Sequence, residues 1–291
     1  MMENWIAVDW GSTHLRAWHW QNDVCVDQLQ IAAGISQLNG RTPEDVFRQY
    51  IAPWRKENGV PVFMAGMIGS DAGWQVAPYL PCPITPHQLG SKLTEVAEQV
   101  WIVPGLKVQQ NGECNVMRGE ETQLAGAMAM SSADVYVMPG THSKWVSVDG
   151  ERIQHFSTVM TGELFHLLLN QSLIGKGLPE QQADDEAFQR GLKRGITTSS
   201  PVASLFSARA ARVLGELAPT SVADYLSGLL IGAEVAEMYP QHTQPRVTLV
   251  GGSSLTGRYL RAFATLGIQA NSCDGDDAFL QGIRSIFHGR H

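Results

Sequence analysis

The sequence predicts an α/β fold built as two related lobes, and three observations carry that expectation. A strand–turn–strand device occurs twice, once near the start and once near the middle of the chain. Apolar runs of strand length alternate with helical patterns along the sequence, as in α/β architectures. The 291 residues exceed one small core and suit two domains of ordinary size.

The first copy of the device is Ile6-Ala7-Val8-Asp9-Trp10-Gly11-Ser12-Thr13-His14-Leu15-Arg16-Ala17-Trp18, and the second is Val135-Tyr136-Val137-Met138-Pro139-Gly140-Thr141-His142-Ser143-Lys144-Trp145-Val146-Ser147-Val148. Gly11 and Gly140 stand 129 residues apart, which sets Ser12 on Thr141. A glycine turn lets successive N–H groups and Ser/Thr hydroxyls face one anion. Either copy alone reads better as an ordinary hairpin turn. The pair, with Asp9 closing the first opening strand, points to a polyphosphate held between two related lobes, the arrangement of a phosphotransferase.

The remaining elements follow in chain order. Gln28 to Ile31 continues as a strand into a loop at 32–36. Thr42-Pro43-Glu44-Asp45 opens a helix with a hydroxyl cap, proline in the first turn and early acids. Val46, Phe47, Tyr50, Ile51 and Trp54 form its apolar stripe. Val60 to Met64 reads as a buried strand running into the glycine-punctuated loop 65–74. Four prolines between Pro78 and Pro86 exclude regular helix there. Leu89, Leu93, Val96 and Val100 mark a helix, Trp101 to Val103 a strand, and Glu120 to Met130 a helix leading into the second hairpin. The domain boundary falls there, giving lobes at 1–125 and 126–291, with the last helix able to pack back on the first lobe. In the second half, Thr161 to Ile174 reads as a helix with Leu164, Phe165, Leu167 and Leu168 inward. Ser200-Pro201 opens a helix to about Leu217. Ser221 to Met238 begins with a Ser-x-x-Asp box, carries Leu226, Leu229, Leu230 and Ala233 inward, and is stopped by Tyr239-Pro240. Arg246 to Val250 is a strand, followed by Gly251-Gly252-Ser253 and a helix through Leu266.

Composition narrows the function classes. A formal charge of −7 argues against nucleic acid, whose phosphates require a Lys/Arg surplus. An acidic protein binding an anion must concentrate its cations locally, which singles out Arg16, Arg118 and Lys144. Cys25, Cys82, Cys114 and Cys273 form no C-x-x-C pair and read as reduced thiols. The N-terminus shows no leader peptide, and no stretch approaches the roughly 18 apolar residues of a membrane span. A cytoplasmic protein with no membrane association is expected.

Two motifs mislead. Gly252 to Gly257 has P-loop spacing, yet Arg258-Tyr259 stands where Lys-Ser/Thr is required, removing both the phosphate-cradling lysine and the magnesium hydroxyl. Asp274-Gly275-Asp276-Asp277-Ala278-Phe279 faintly matches the anion hole of ribokinase-type kinases but lacks its flanking glycines. It reads as the N-cap of the last helix.

The order of an Asp-containing hairpin, an acidic helix start, a second Gly-Thr hairpin and a late Gly-Gly-Ser resembles the actin-like ATPase and sugar-kinase superfamily. More narrowly, the chain resembles the 2-dehydro-3-deoxygalactonokinase family. The match is carried by Val8-Asp9-Trp10-Gly11-Ser12-Thr13, Ala65-Gly66-Met67-Ile68-Gly69-Ser70 with Gly73-Trp74, and Pro78-Tyr79-Leu80-Pro81-Cys82-Pro83. It continues through Met117-Arg118-Gly119-Glu120-Glu121, Pro139-Gly140-Thr141-His142-Ser143-Lys144-Trp145, Met160-Thr161-Gly162-Glu163 and Gly251-Gly252-Ser253. The resemblance implies two actin-like (ribonuclease H-like) lobes with mixed sheets flanked by helices and a central nucleotide cleft. It implies ATP- and Mg²⁺-dependent phosphorylation of 2-dehydro-3-deoxy-D-galactonate to its 6-phosphate, in D-galactonate catabolism. The partner is a small sugar acid, and a homodimer is allowed for.

Phosphoryl transfer needs positioning and charge neutralisation more than covalent chemistry. Asp9 is the expected organiser of Mg²⁺, through water, with turn capping as its other role. Glu120 is the expected general base, although the superfamily tends to carry Asp just before the second hairpin, and Glu121 is its rival. Helical neighbours point about 100° apart, so one of them faces the site; both also suit a helix N-terminus electrostatically. Gly11, Ser12, Thr13, Gly140, Thr141, His142, Lys144, Gly251, Gly252 and Ser253 are the expected nucleotide contacts. Lys144 either neutralises a phosphate or faces solvent, and His142 either donates to phosphate or is a satisfied turn residue. Gly66, Met67, Ser70, Trp74 and Arg118 are the substrate-side candidates, with Arg118 or the 66–74 loop meeting the carboxylate. Arg16 alternates along its strand as an exposed residue would. Trp10, Trp18, Trp20 and Trp145 read as packing.

Two other functions fit the same fold. An actin-like phosphatase acting on polyphosphate or ppGpp would release phosphate without sugar, and a non-catalytic ATP sensor would release no ADP on sugar addition. For the kinase, small-angle scattering is expected to show compaction when ATP and sugar acid are both bound, because closure excludes competing water.

Overall fold

The computed structural model describes residues 4–55, 59–110, 112–239 and 244–288. In chain order the elements are β1 (Asn4–Trp10), β2 (Leu15–Gln21), β3 (Val24–Ile31), α1 (Pro43–Tyr50), β4 (Val62–Gly66), β5 (Tyr79–Pro81), α2 (Pro86–Gly90), β6 (Thr94–Ala97), β7 (Val100–Ile102), β8 (Gly105–Gln110), β9 (Glu113–Met117) and α3 (Glu120–Met130). They continue as β10 (Val135–Met138), β11 (Ser143–Asp149), β12 (Arg152–Val159), α4 (Thr161–Gln171), α5 (Asp185–Thr197), α6 (Pro201–Leu205), α7 (Ser207–Val213), α8 (Val222–Met238), β13 (Val247–Val250), α9 (Ser253–Thr265), β14 (Ala270–Cys273) and α10 (Gly275–His288). The chain divides into two compact units. Met1–Ser132, Ser147–Phe156 and Gly275–His291 form the first, and Ala133–Val146 with Ser157–Asp274 the second.

The two large sheets share one order over five strands, and the first adds a sixth, β6, antiparallel to β7. The first runs β3-β2-β1-β4-β7-β6 and the second β12-β11-β10-β13-β14. In each, a block of three sequential strands is extended by two parallel neighbours: β1, β4 and β7 in one, β10, β13 and β14 in the other. The twice-repeated hairpin is therefore the opening of a repeated fold. In the first unit Ile6, Val8 and Trp10 of β1 pack with Val62, Met64 and Ile102 and with Val46, Phe47 and Ile51 from the α1 region. In the second, Val135, Val137, Val247 and Leu249 pack with Phe188 and Leu192 of α5, Ile231 and Val235 of α8 and Phe263 of α9. A small third sheet, β5-β8-β9, and helix α5 lie in stretches the sequence patterns left unassigned.

Helix α1 begins as its sequence predicts, with a reciprocal capping box between Thr42 and Asp45 and Pro43 in its first turn. Four other expectations are corrected. The helix expected across Leu89 to Val100 is instead the five-residue α2 followed by β6 and β7. Gln99 takes a positive φ of 56°, turning the chain so that Ala97 pairs with Val100 and Thr94 with Ile102. In α4, Leu164 and Leu167 are 39% and 38% exposed, while Phe165 and Leu168 pack inward. Those four residues spread over about 160° of helix circumference, too wide for one packed face. The helix expected from Pro201 to Leu217 breaks at Phe206, where the Ser207 hydroxyl donates to the Ser204 carbonyl at 2.6 Å and competes with the helical ladder. At α8 there is no Ser221 side-chain cap. Asp224 accepts from the Asp184 amide at 2.6 Å and pairs with Arg258 at 2.5 Å instead. The inward residues of α8 are buried as expected, and Pro240 lies outside the described residues.

Helix α10 packs on α3 at backbone contact. A Cβ at Gly282 would fall 1.8 Å from the Thr122 carbonyl, whereas one at Gly257 in α9 meets nothing within 4 Å. Gly282→Ala is expected to lose about 1–3 kcal/mol in urea unfolding. Gly257→Ala is expected to gain up to about 1 kcal/mol, the helix-propensity difference.

Candidate active site

In the first unit the site forms where three chain segments end together. Parallel pairing of β1 with β4 sets Asp9 beside Ala65 and Trp10 beside Gly66. Gly66 has φ 97°, and a Cβ there would fall 2.7 Å from the Trp10 carbonyl. Gly119, φ 108°, precedes α3, and its Cβ would stand 3.2 Å from the Gly66 Cα. Asp9, Gly11, Gly66, Met67, Arg118, Gly119 and Glu120, with Gln123 and Phe279, consequently line one cavity of about 180 Å³.

Asp9 is held across the hairpin by Arg16, whose other guanidinium nitrogen pairs with Asp276 in the first turn of α10. The reading of Arg16 as an exposed strand residue is thus corrected, because two carboxylates draw it inward. Burial pushes the Asp9 carboxyl above its ordinary range, and the Arg16 charge opposes that shift. Glu120 and Glu121 separate as helical neighbours do. Glu120 lines the cavity and accepts from the Arg118 amide at 3.1 Å. Glu121 is fully buried and accepts from the Gly119 amide at 2.7 Å and the Thr122 hydroxyl at 3.1 Å. Burial, reinforced by the charge of Glu120, pushes the Glu121 carboxyl up to about 8.

The Arg118 guanidinium lies 4.1 Å over the Tyr79 ring. Its Nε donates to the Tyr79 hydroxyl at 3.2 Å and one terminal nitrogen to the Ala77 carbonyl at 2.8 Å. Its other terminal nitrogen is buried with no hydrogen-bond partner among the described residues. Ser70 and Trp74 do not line the cavity: the Ser70 hydroxyl closes its own loop onto the Met67 carbonyl, and Trp74 packs against Phe47. In the first glycine loop, Gly11 spends its amide on the His14 carbonyl, and exposed Ser12 and Thr13 form the outer turn. The Ile35 and Ser36 amides fasten this loop from below by donating to Gly11 and Ser12.

The second unit holds a larger cavity of about 460 Å³, within the range of small-molecule and cofactor sites. Gly140 and Thr141 of the second glycine loop form one wall. Thr161, Gly162, Phe165 and His166 of α4, Asp224, Ser227 and Leu230 of α8, and Leu255, Arg258 and Tyr259 of α9 form much of the rest. The Glu163 amide donates to the Thr141 carbonyl at 2.9 Å, and its carboxylate meets His142 at 2.5 Å. Lys144 is 4% exposed, so the solvent-facing alternative is corrected: both faces of β11 are covered at that position. Gly251, Gly252 and Ser253 lead into α9 without lining the cavity. The α4 contribution could have been read from Met160-Thr161-Gly162-Glu163, a glycine in a helix's first turn directly after a strand. The α8 and α9 residues carry no such signal, since α8 reads as a helix buried almost all round and α9 as an ordinary packed helix.

Two sheets of matching five-strand order, each opening with a Gly-Ser/Thr hairpin loop, define an actin-like α/β protein. Residues 9–286 match the description of the 2-keto-3-deoxy-galactonokinase family. The chain is 52% identical over 290 residues to the 2-dehydro-3-deoxygalactonokinase of Escherichia coli (strain K12), covering 99% of each. A Sinorhizobium meliloti crystal structure described under the same kinase name superimposes with TM-score 0.88 at 30% identity, covering 97% of each chain. The ADPNP-bound activator of 2-hydroxyisocaproyl-CoA dehydratase from Clostridium difficile shares the fold, with TM-score 0.51 at 12% identity over 99% of this chain and 96% of its own. The chain belongs to the 2-keto-3-deoxy-galactonokinase family and is a sugar-acid kinase. The phosphatase and sensor alternatives are not favoured.

Because folding raises the Glu121 pKa from 4.5 to about 8, the native state holds an extra proton between those values. The associated stability is fully present below about 4.5 and is lost as pH rises through about 8. Glu121→Gln removes this loss. Its melting temperature relative to the parent should therefore rise between pH 6 and pH 9, by at least about 3 °C. Parallel pH profiles for the two proteins would refute the assignment.

Proposed function

We propose that the enzyme transfers the γ-phosphoryl group of ATP to the terminal hydroxyl of 2-dehydro-3-deoxy-D-galactonate, giving the 6-phosphate. The observation that carries this reading is the convergence of Asp9, Arg118 and Glu120 on one small cavity; one Arg118 terminal nitrogen, buried beside Gly69, has no hydrogen-bond partner among the described residues. Family membership supports the acceptor.

In this reading Glu120 takes the proton of the sugar hydroxyl as its oxygen bonds the γ-phosphorus, and the bond to the β-phosphate oxygen breaks to release ADP. Arg118 meets the substrate carboxylate, held in place by Tyr79 and the Ala77 carbonyl. Gly66 and Met67 form the adjoining wall. Glu121, buried behind, fixes the Gly119 turn that aims Glu120. The larger cavity, with Gly140 and Thr141 in its wall, takes the nucleotide in this reading.

Among the described residues no cluster of three metal-ligating side chains exists. Mg²⁺ commonly uses one or two carboxylates with phosphate oxygens and water, and Asp9 fits that donor set. Bound there, the ion would neutralise phosphate charge. No helix among the described residues is long and apolar enough to cross a membrane. The four cysteines form no disulfide, which supports a reducing setting.

Coupled ADP-release assays across a panel of 3-deoxy-2-keto sugar acids test the reading. Glu120→Gln is expected to lower kcat ~10²–10⁴-fold. Arg118→Ala is expected to raise KM for the keto acid roughly 10–100-fold, the cost of a charged hydrogen bond. Near-parental turnover by Glu120→Gln would remove it from the role of base.

A further inference from the structure

We infer that Glu234 of α8 is a positioning residue for the nucleotide, holding the second glycine loop in shape from behind. The inference rests on the reading that the 460 Å³ cavity takes ATP. Glu234 is 4% exposed and does not line the cavity. Its Oε1 accepts from the Trp145 indole N–H at 2.7 Å. Its Oε2 accepts from the Tyr259 hydroxyl at 2.6 Å and from the Thr161 hydroxyl. The Tyr259 oxygen also lies 3.0 Å from the Ser143 hydroxyl, which donates to it.

One carboxylate thus binds α8 to α9, to the first residue of α4 and to the strand leaving the glycine loop. Those attachments grip the loop on two sides. On one side Thr161 anchors the first turn of α4. There Gly162 sits against the Gly140 carbonyl, 2.4 Å from where its Cβ would be, and the Glu163 amide holds the Thr141 carbonyl. On the other side, Ser143 and Trp145 fix β11 immediately after His142. Thr161 and Tyr259 are themselves cavity wall. Losing the carboxylate frees both hydroxyls and the turn that carries Gly140 and Thr141. Small misplacements of binding groups are costly in preorganised sites.

Glutamine preserves the volume of Glu234 but offers acceptor oxygen on one side only. Its NH₂ must then face either the indole N–H, which can only donate, or the two hydroxyls, which would have to turn from donating to accepting and give up their present bonds. In the full-length enzyme, Glu234→Gln is expected to raise KM for ATP and the calorimetric Kd for ADP roughly tenfold, while KM for the keto acid stays within about twofold. Thr161→Val should reproduce the loss, Thr161→Ser should restore binding, and the double variant Glu234→Gln/Thr161→Val should be no worse than either single one, as coupled partners require. If Glu234→Gln does not fold, the Thr161→Val and Thr161→Ser pair decides. A folded Glu234→Gln that binds ADP like the parent, or equal losses in both KM values, would overturn the inference. Ser227→Trp, which fills the cavity, separates the two levels. Loss of ADP binding there beside a parent-like Glu234→Gln sinks the positioning role alone. ADP binding that survives Ser227→Trp sinks the cavity reading and this inference with it.

Discussion

The chemistry of the first unit depends on backbone touching backbone at the ends of β1, β4 and α3. Parallel strands are normally separated from neighbouring segments by their side chains, and two glycines remove that separation. Gly66 lets the turn after β4 lie against the Trp10 carbonyl, and Gly119 lets the start of α3 lie against Gly66. Both have positive φ, which L side chains rarely adopt. Asp9, Arg118 and Glu120 reach one cavity because those segments close to this distance. The charges are then fixed by local pairs, Arg16 on Asp9 and the Arg118 amide on Glu120.

Adjacent glutamates illustrate how environment divides identical chemistry. Glu120 remains at a cavity wall, while Glu121, one residue on, is fully buried and bonded to the Gly119 amide. A carboxyl whose pKa lies near 8 is a poor reservoir of negative charge at neutral pH. A cavity-lining carboxyl and a fully buried one occupy neighbouring positions because a helix turns 100° between them.

Much of this was legible in the sequence, and the gaps have physical causes. The repeated hairpin, the capped α1 and the α3 boundaries are written in local signals: glycine turns, Thr42 with Asp45, an acidic first turn. Long-range pairing is not. Nothing near Arg16 announces Asp276, which lies 260 residues away. Val96 and Val100 have helical spacing yet lie on the paired strands β6 and β7, because Gln99 turns the chain. Leu164 and Leu167 look like core and lie half-exposed. The nucleotide-sized cavity was only half foreseen. Its glycine loop is a motif, but the α8 and α9 walls are residues whose spacing would serve any packed helix.

The first unit is assembled from three stretches of chain, and its final helix emerges only after the whole second unit has been made. Phe279 from that helix closes one wall of the small cavity, and Asp276 holds the arginine that holds Asp9. During synthesis, then, the earlier strands exist for some time with an unfinished cavity and with Arg16 held by Asp9 alone. A ribosome-bound chain halted before residue 275 would carry both glycine loops and nearly all the charged groups. It would lack the last staple on which their arrangement relies.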